Sequence, residues 1–333
     1  MDRIRQYVHT IRYLKPVQIF GRIWFWVHWP AVRATPVPPV QRLTGSWRSS
    51  PPKPRSLLSP SRFRFLNEKH ELSSAADWNN PAWEKLWLYN LHYFDDLNAE
   101  GGAARSDWHR ALITRWVAEN PVGKGNGWEP YPLSLRIVNW VKWAWAGNEL
   151  PPVAVESLAL QAHFLSRRLE WHILGNHLLA NAKALIFAGL FFDGMEAERW
   201  LATGAAIFSR QLGEQVLSDG GHFERSPMYH AQVLEDVLDV VNALQTFPDP
   251  ASAERAAVTE TCSEAVPRML AWLRTITHPD GGIALFNDAA FGEAATPDRL
   301  AAYAAGLIPG HESGAAVSTG GNLGAVPHFS HLA

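Results

Sequence analysis

The sequence predicts an all-α protein built from repeated helical hairpins. Three observations carry this. From about residue 81 onward, about eight successive segments place apolar residues at helical spacing. Short loops bearing Gly and Pro join them. Nowhere are Val, Ile and Thr organised into a long alternating strand. Hairpins repeated at this length predict a solenoid or a closed ring of helix pairs, although no fixed repeat period is visible.

Taken in order, residues 1–30 read as an amphipathic helix. Ile4, Val8, Ile11 and Leu14 recur at helical spacing, with Arg3, Arg5, Arg12 and Lys15 between them. Such a helix either lies on a membrane surface or packs on the main domain, and packing is favoured. Residues 31–80 read as an extended connector, because nine prolines from Pro16 to Pro60 crowd this end. Residues 81–306 form the helical domain. PAWEKLWLYNLHYFDDL opens with Pro81, and PLSLRIVNWVKWAWAG spaces Leu133, Ile137, Trp140 and Trp143 along one face. NHLLANAKALIFAGLFF and PMYHAQVLEDVLDVVNALQTF continue the run. Residues 307–333 are rich in Gly, Ala and Ser and read as an irregular tail.

Composition narrows the function. The 333 residues are 47% hydrophobic and carry a net charge of −2, which excludes disorder over most of the chain and argues against a general nucleic-acid binder. A single cysteine, Cys262, excludes an internal disulfide framework and a Cys-rich metal site. Val17 to Trp29 is interrupted by Arg22 and His28 and is too short to span a bilayer. The N-terminus shows no export signal. Nine of the 16 tryptophans fall between Trp78 and Trp145, where they serve either the core or a carbohydrate groove. Phosphate-loop, zinc-protease, nucleophile-elbow and EF-hand signatures are absent, and no cofactor or metal is expected.

Three segments place polar groups where a pure core would not. In WHILGNHLLANAKAL, His172 and Asn176 share a face if the helix is continuous, as do His177 and Asn181. A break at Gly175 would instead set Asn176 and His177 in a first turn, where free N–H groups favour a carboxylate. In SDGGHFERSPMYH, Ser226 is a suitable N-cap and Pro227 a suitable first residue, which places Tyr229 in the opening turn. That position and Arg225 would favour the phenolate, with His222, Glu224 and His230 close by. In GNGWEPYPLSLRIVNW, Trp128, Tyr131 and Arg136 could form a subsite for an acidic sugar, or a packed aromatic corner. Asn287 and Asp288 follow Gly281 and Gly282 as a rim loop.

These stretches, together with GRIWFWVHWP, LWLYNLHYFDDL and LFNDAAFG, resemble the heparinase II/III family of polysaccharide lyases. The resemblance covers most of residues 1–300 and looks closest to members found near bacterial exopolysaccharide genes. It implies an (α/α) toroid and β-elimination beside a uronic acid. It also implies that Asn176 and His177 bind the uronate carboxylate and that Tyr229 acts as base, acid or both. Arg136, Tyr131, Trp128, Glu224, Arg225, His230 and Asn181 would contact or support the substrate. Family members carry a C-terminal β-sandwich that closes the groove. This chain is therefore expected to be an incomplete toroid, with residues 307–333 at the start of the missing domain and activity impaired by the truncation. The expected partner is an acidic polysaccharide, with no nucleic acid and no integral membrane segment. The expected setting is the periplasm, as for family members, or the cytoplasm. The alternative reading is a non-catalytic glycan-binding or exopolysaccharide-assembly protein with the same groove. A third is a hydrolase, which needs a second carboxylate opposite Glu224, from Asp219, Glu129 or Asp288.

Overall fold

The computed structural model describes residues 14–30 and 36–308. Ten α-helices fall among them. They are α1 (Pro16–Val27), α2 (Lys85–Tyr93), α3 (Ser106–Glu119), α4 (Pro130–Trp145), α5 (Pro152–Ser166), α6 (Gly175–Phe191), α7 (Met195–Gln215), α8 (Pro227–Thr246), α9 (Ala253–Thr275) and α10 (Pro297–Leu307).

From α2 onward the helices form two layers. The even-numbered ones pack in sequence, α2 on α4, α4 on α6 and α6 on α8. Outside them α3 packs on α5, α5 on α7 and α7 on α9. Helix α10 then lies against α8. This is a ring-like stack of α/α hairpins, an all-α toroid architecture.

The sequence dictates which layer is inner. Helix α6 is apolar on nearly every side apart from the paired Asn181 and Lys183, and every residue from Leu178 to Phe191 is buried, as a central helix requires. Its partner α7 keeps Glu196, Glu198 and other polar residues on one face and presents Trp200, Ile207 and Phe208 inward. Glycines allow this pair to touch. A Cβ at Gly189 would sit 2.6 Å from the Leu201 nitrogen, and one at Gly204 would sit 2.7 Å from the Ala182 oxygen. The tryptophan-rich window serves the core. Trp78, Trp87, Trp116, Trp128, Trp140, Trp143 and Trp145 are all buried, which removes them from any carbohydrate groove.

The proline-rich segment is more than an extended connector. It holds a three-stranded antiparallel sheet, β1 (Leu57–Ser59), β2 (Arg62–Phe65) and β3 (Glu68–Glu71), with Phe63 opposite His70. Leu66 and Asn67 form its tight turn, both at positive φ, as a two-residue hairpin demands. Before the sheet the same segment straps the far end of the ring. Gly45 donates to the Thr246 oxygen at the end of α8, Trp47 packs on Trp145 at the end of α4, and Lys53 bridges to Ala99 beyond α2. Prolines suit this strap, because it runs without a continuous ladder to pair its N–H groups. Within the segment read as an N-terminal helix, the described helix Pro16–Val27 packs on the main body through Gly21 and Phe25. The reading of residues 1–13 and of the tail from 309 lies outside the described residues.

Candidate active site

The inner helices α4, α6 and α8 bring their first turns together at the end of the ring opposite the strap. Each start is fixed locally. Helix α6 begins at Gly175, after Leu174 and Gly175 both take positive φ. A Cβ at Gly175 would come within 3.3 Å of Glu224 Oε1. Asn176 and His177 thus occupy the opening turn, as the glycine break predicts. His172 lies before the helix and packs on Phe25, so it shares no helical face with Asn176.

His177 is held by a residue that the sequence did not single out. Its Nδ1 lies 3.1 Å from Glu170 Oε1. An ionised carboxylate only accepts, so Nδ1 carries a proton toward Glu170 and Nε2 is turned away from it. Among the described residues Nε2 has no protein partner. Glu170 is itself fixed by Asn181, whose Nδ2 donates to Glu170 Oε2 at 3.1 Å and whose Oδ1 accepts from the Glu170 nitrogen at 2.9 Å. Asn181 is fully buried and acts through this chain, not as a substrate contact. Tyr131, second residue of α4, stacks on the His177 ring with centroids 4.3 Å apart.

Tyr229 enters from α8. Ser226 caps that helix by accepting from the Tyr229 nitrogen, and Pro227 is its first residue, as read from the sequence. The phenol donates to Asp288 Oδ2 at 2.9 Å. The 287–288 loop is clipped to the same turn, since Ser226 Oγ donates to the Asp288 oxygen and Asn287 Nδ2 to the Arg225 oxygen. The expected phenolate is overturned. Partial burial, donation to Asp288 and the negative charges of Asp288 and Glu224 push Tyr229 up to about 12. Glu224 feels both His177 and Asp288, and burial against the wall raises its pKa. Glu224 thus links the histidine and tyrosine sides. Arg225 is exposed beside them, with its backbone at positive φ.

Three of the expected substrate contacts are sealed away. Arg136 is fully buried, where its guanidinium donates to Gln161 Oε1, the His92 oxygen and the Gly127 oxygen and stacks on Trp116. It ties α2, α4 and α5 together. Trp128 lies in the core, with its ring edge-on to Phe164. His230 is buried between the His222 nitrogen and the Met269 oxygen.

The His230 and His222 imidazoles are neutral, because burial pushes both down to about 4. The unfolded chain, with its histidines near 6.5, takes up these protons first as pH falls. Stability should therefore be complete above about pH 6.5 and decline toward pH 4, by up to roughly 3 kcal/mol for each histidine. Thermal melts at stepped pH should show this slope, and a His222→Gln, His230→Gln pair should flatten its upper part. A flat wild-type profile between those limits would remove the assignment.

Below Asn176 and Tyr131 opens a cavity of about 140 Å³. Its floor is ionic. Lys142 and Lys183 both bind Asp239, Lys183 also binds Asp236 at 2.7 Å, and Lys53 from the strap binds Glu235 at 2.9 Å. The sequence carries a signal for this network, since Lys183 and Asp239 each interrupt an apolar run in the middle of a helix. No group of three or more His, Cys, Asp or Glu among the described residues is arranged to hold a metal ion.

Residues 152–311 match the family profile described as the heparinase II/III N-terminus. This segment, just under half of the chain, is similar to the heparinase II/III N-terminal domain. A heparin-sulfate lyase of Pedobacter heparinus is 26% identical over 246 residues, covering 64% of this chain and 33% of that protein. FtsZ-localized protein C of Caulobacter vibrioides is 29% identical over 262 residues, covering 74% of this chain and 40% of that protein. A crystal structure of heparinase III superposes with a TM-score of 0.52 at 21% identity, over 74% of this chain and 40% of that one. The shared fold is the helical toroid, and the chain spans about a third of the length of the first of these relatives.

Proposed function

We propose that this chain is a polysaccharide lyase of the heparinase II/III family that cleaves a uronate-containing glycan by β-elimination. The observation that supports the reading is that the start of α6, which carries Asn176 and His177, lies against Glu224, three residues before the first residue of α8, whose opening turn carries Tyr229. Removing the proton beside a uronate carboxylate builds charge onto that group. The Asn176 amide and the free N–H groups of the α6 start are suited to hold it. In neutral His177, oriented by Glu170, the Nε2 lone pair is suited to take the proton. Tyr229, kept as a phenol, is suited to protonate the leaving oxygen. The chain's heparin-sulfate lyase relatives make heparan-type chains the first substrates to try.

A second reading is glycan binding in the same cleft without cleavage. One experiment separates the two. The chain is incubated with heparan-type and other uronate polysaccharides while the ultraviolet absorbance of an unsaturated uronate and the chain length are followed. Rising absorbance with shortening chains is the expected result. Shortening without absorbance means hydrolysis. Bound oligosaccharide with neither change establishes the binding reading.

A further inference from the structure

Helix α1 has no buried residue, yet it is firmly seated. Gly21 lets its backbone lie on the 171–172 segment, where a Cβ would meet the His172 nitrogen at 3.0 Å. Phe25 packs on His172 at 4.2 Å between centroids. The Arg168 guanidinium lies 3.7 Å from the Phe25 ring and donates to the Phe25 and His28 oxygens. These contacts use one side of the helix. The other side carries Phe20, Ile23, Trp24, Trp26 and Val27. Trp26 is 81% exposed, Val27 77% and Phe20 71%. Scattered apolar side chains are ordinary on a surface, but a contiguous patch of this kind is a contact site.

Charge identifies the occupant. Residues 1–33 contain Arg3, Arg5, Arg12, Lys15, Arg22 and Arg33 against a single acid, Asp2, in a chain whose net charge is −2, and of these Lys15 is paired with Glu214 of α7. Arg22 is exposed on α1 itself. Tryptophans beside cationic residues suit the headgroup boundary of a bilayer. No helix among the described residues is long and apolar enough to cross a membrane, so such a helix lies in the surface plane. A second copy of the chain is the poorer occupant, since a two-fold contact would set the basic segments against each other.

We propose that α1 is an in-plane anchor that docks this protein on an anionic phospholipid surface. The 171–172 segment beneath α1 leads directly into Gly175 and Asn176. Docking therefore holds the cleft mouth beside the bilayer. The inference stands apart from the lyase reading and does not need activity.

Cosedimentation tests it. The full chain is mixed with phosphatidylcholine vesicles made with and without phosphatidylglycerol, at low and raised salt. Binding is expected only with phosphatidylglycerol, and weaker at raised salt. The exposed pair Trp26→Ser, Val27→Ser should reduce it about tenfold or more while circular dichroism stays unchanged, and Arg22→Glu should reduce it as well. Absent binding, equal binding to both vesicle types, or equal binding by the double variant would overturn the proposal. So would a dimer in sedimentation velocity that the double variant dissolves while vesicles capture nothing.

Discussion

Replacing Asp239 with alanine should lower the melting temperature by about 10 °C or leave the chain unfolded, the largest stability effect expected of any single substitution here. Asp239 is fully buried and binds Lys142 of α4 and Lys183 of α6. It also accepts from Ser50 of the strap at 2.6 Å and from Tyr303 of α10 at 3.0 Å. Burial alone would raise its pKa, but the two lysine charges outweigh it and hold the carboxyl well below the usual range. Removing the carboxylate leaves two ammonium groups in the interior, one of which burial already pushes down in pKa. Losing one partner of a buried ion pair costs about 3–5 kcal/mol, against a typical domain stability of about 5–15 kcal/mol. The control is Asp239→Leu combined with Lys142→Met, Lys183→Met and Asp236→Asn, which removes both lysines and both of their carboxylate partners and keeps most of the volume. It should recover much of the loss, because apolar replacements for buried ion pairs are often neutral. Thermal circular dichroism measures both. An alanine variant that melts like the wild type would show that the network does not bind the layers together.

The sequence made the helical layers legible because each inner helix is long and its apolar spacing is unambiguous, as in Leu178–Phe191. The sheet was not legible. Its strands are three or four residues long, and RFRF and EKHE carry more charge than a buried strand normally shows. At the site, the readable residues were those announced by backbone chemistry. Gly175 marks the start of α6, and Ser226–Pro227 marks the start of α8. Arg136 was misread because a guanidinium looks functional, yet it lies three residues after Leu133 and four before Trp140, on the core stripe. Glu170 and Asp239 stayed hidden because their importance lies in partners 7 to 189 residues away, from His177 and Asn181 out to Ser50. Periodicity reports faces; it does not report which buried charges meet.

Changing Tyr229 to phenylalanine should cut turnover by about 10²–10⁴-fold, with little effect on melting temperature or on oligosaccharide affinity. The ring stays packed and only the phenol is lost, so a collapse in KM or in stability would speak for a structural tyrosine instead. Asp288 then decides which way the proton moves. Because the phenol titrates at about 12, only about one molecule in 10⁵ carries the phenolate at pH 7. The carboxylate of Asp288 contributes to that rise through its hydrogen bond and its charge, so Asp288→Asn should lower the phenol pKa and populate more phenolate. If Tyr229 is the acid, as proposed, the alkaline limb of the pH–rate profile should shift to lower pH in Asp288→Asn, with no gain in rate near neutrality. If Tyr229 is the base, the same substitution should raise the rate near pH 7 by supplying the active form. The two outcomes have opposite signs, and a profile measured on unsaturated-uronate formation distinguishes them.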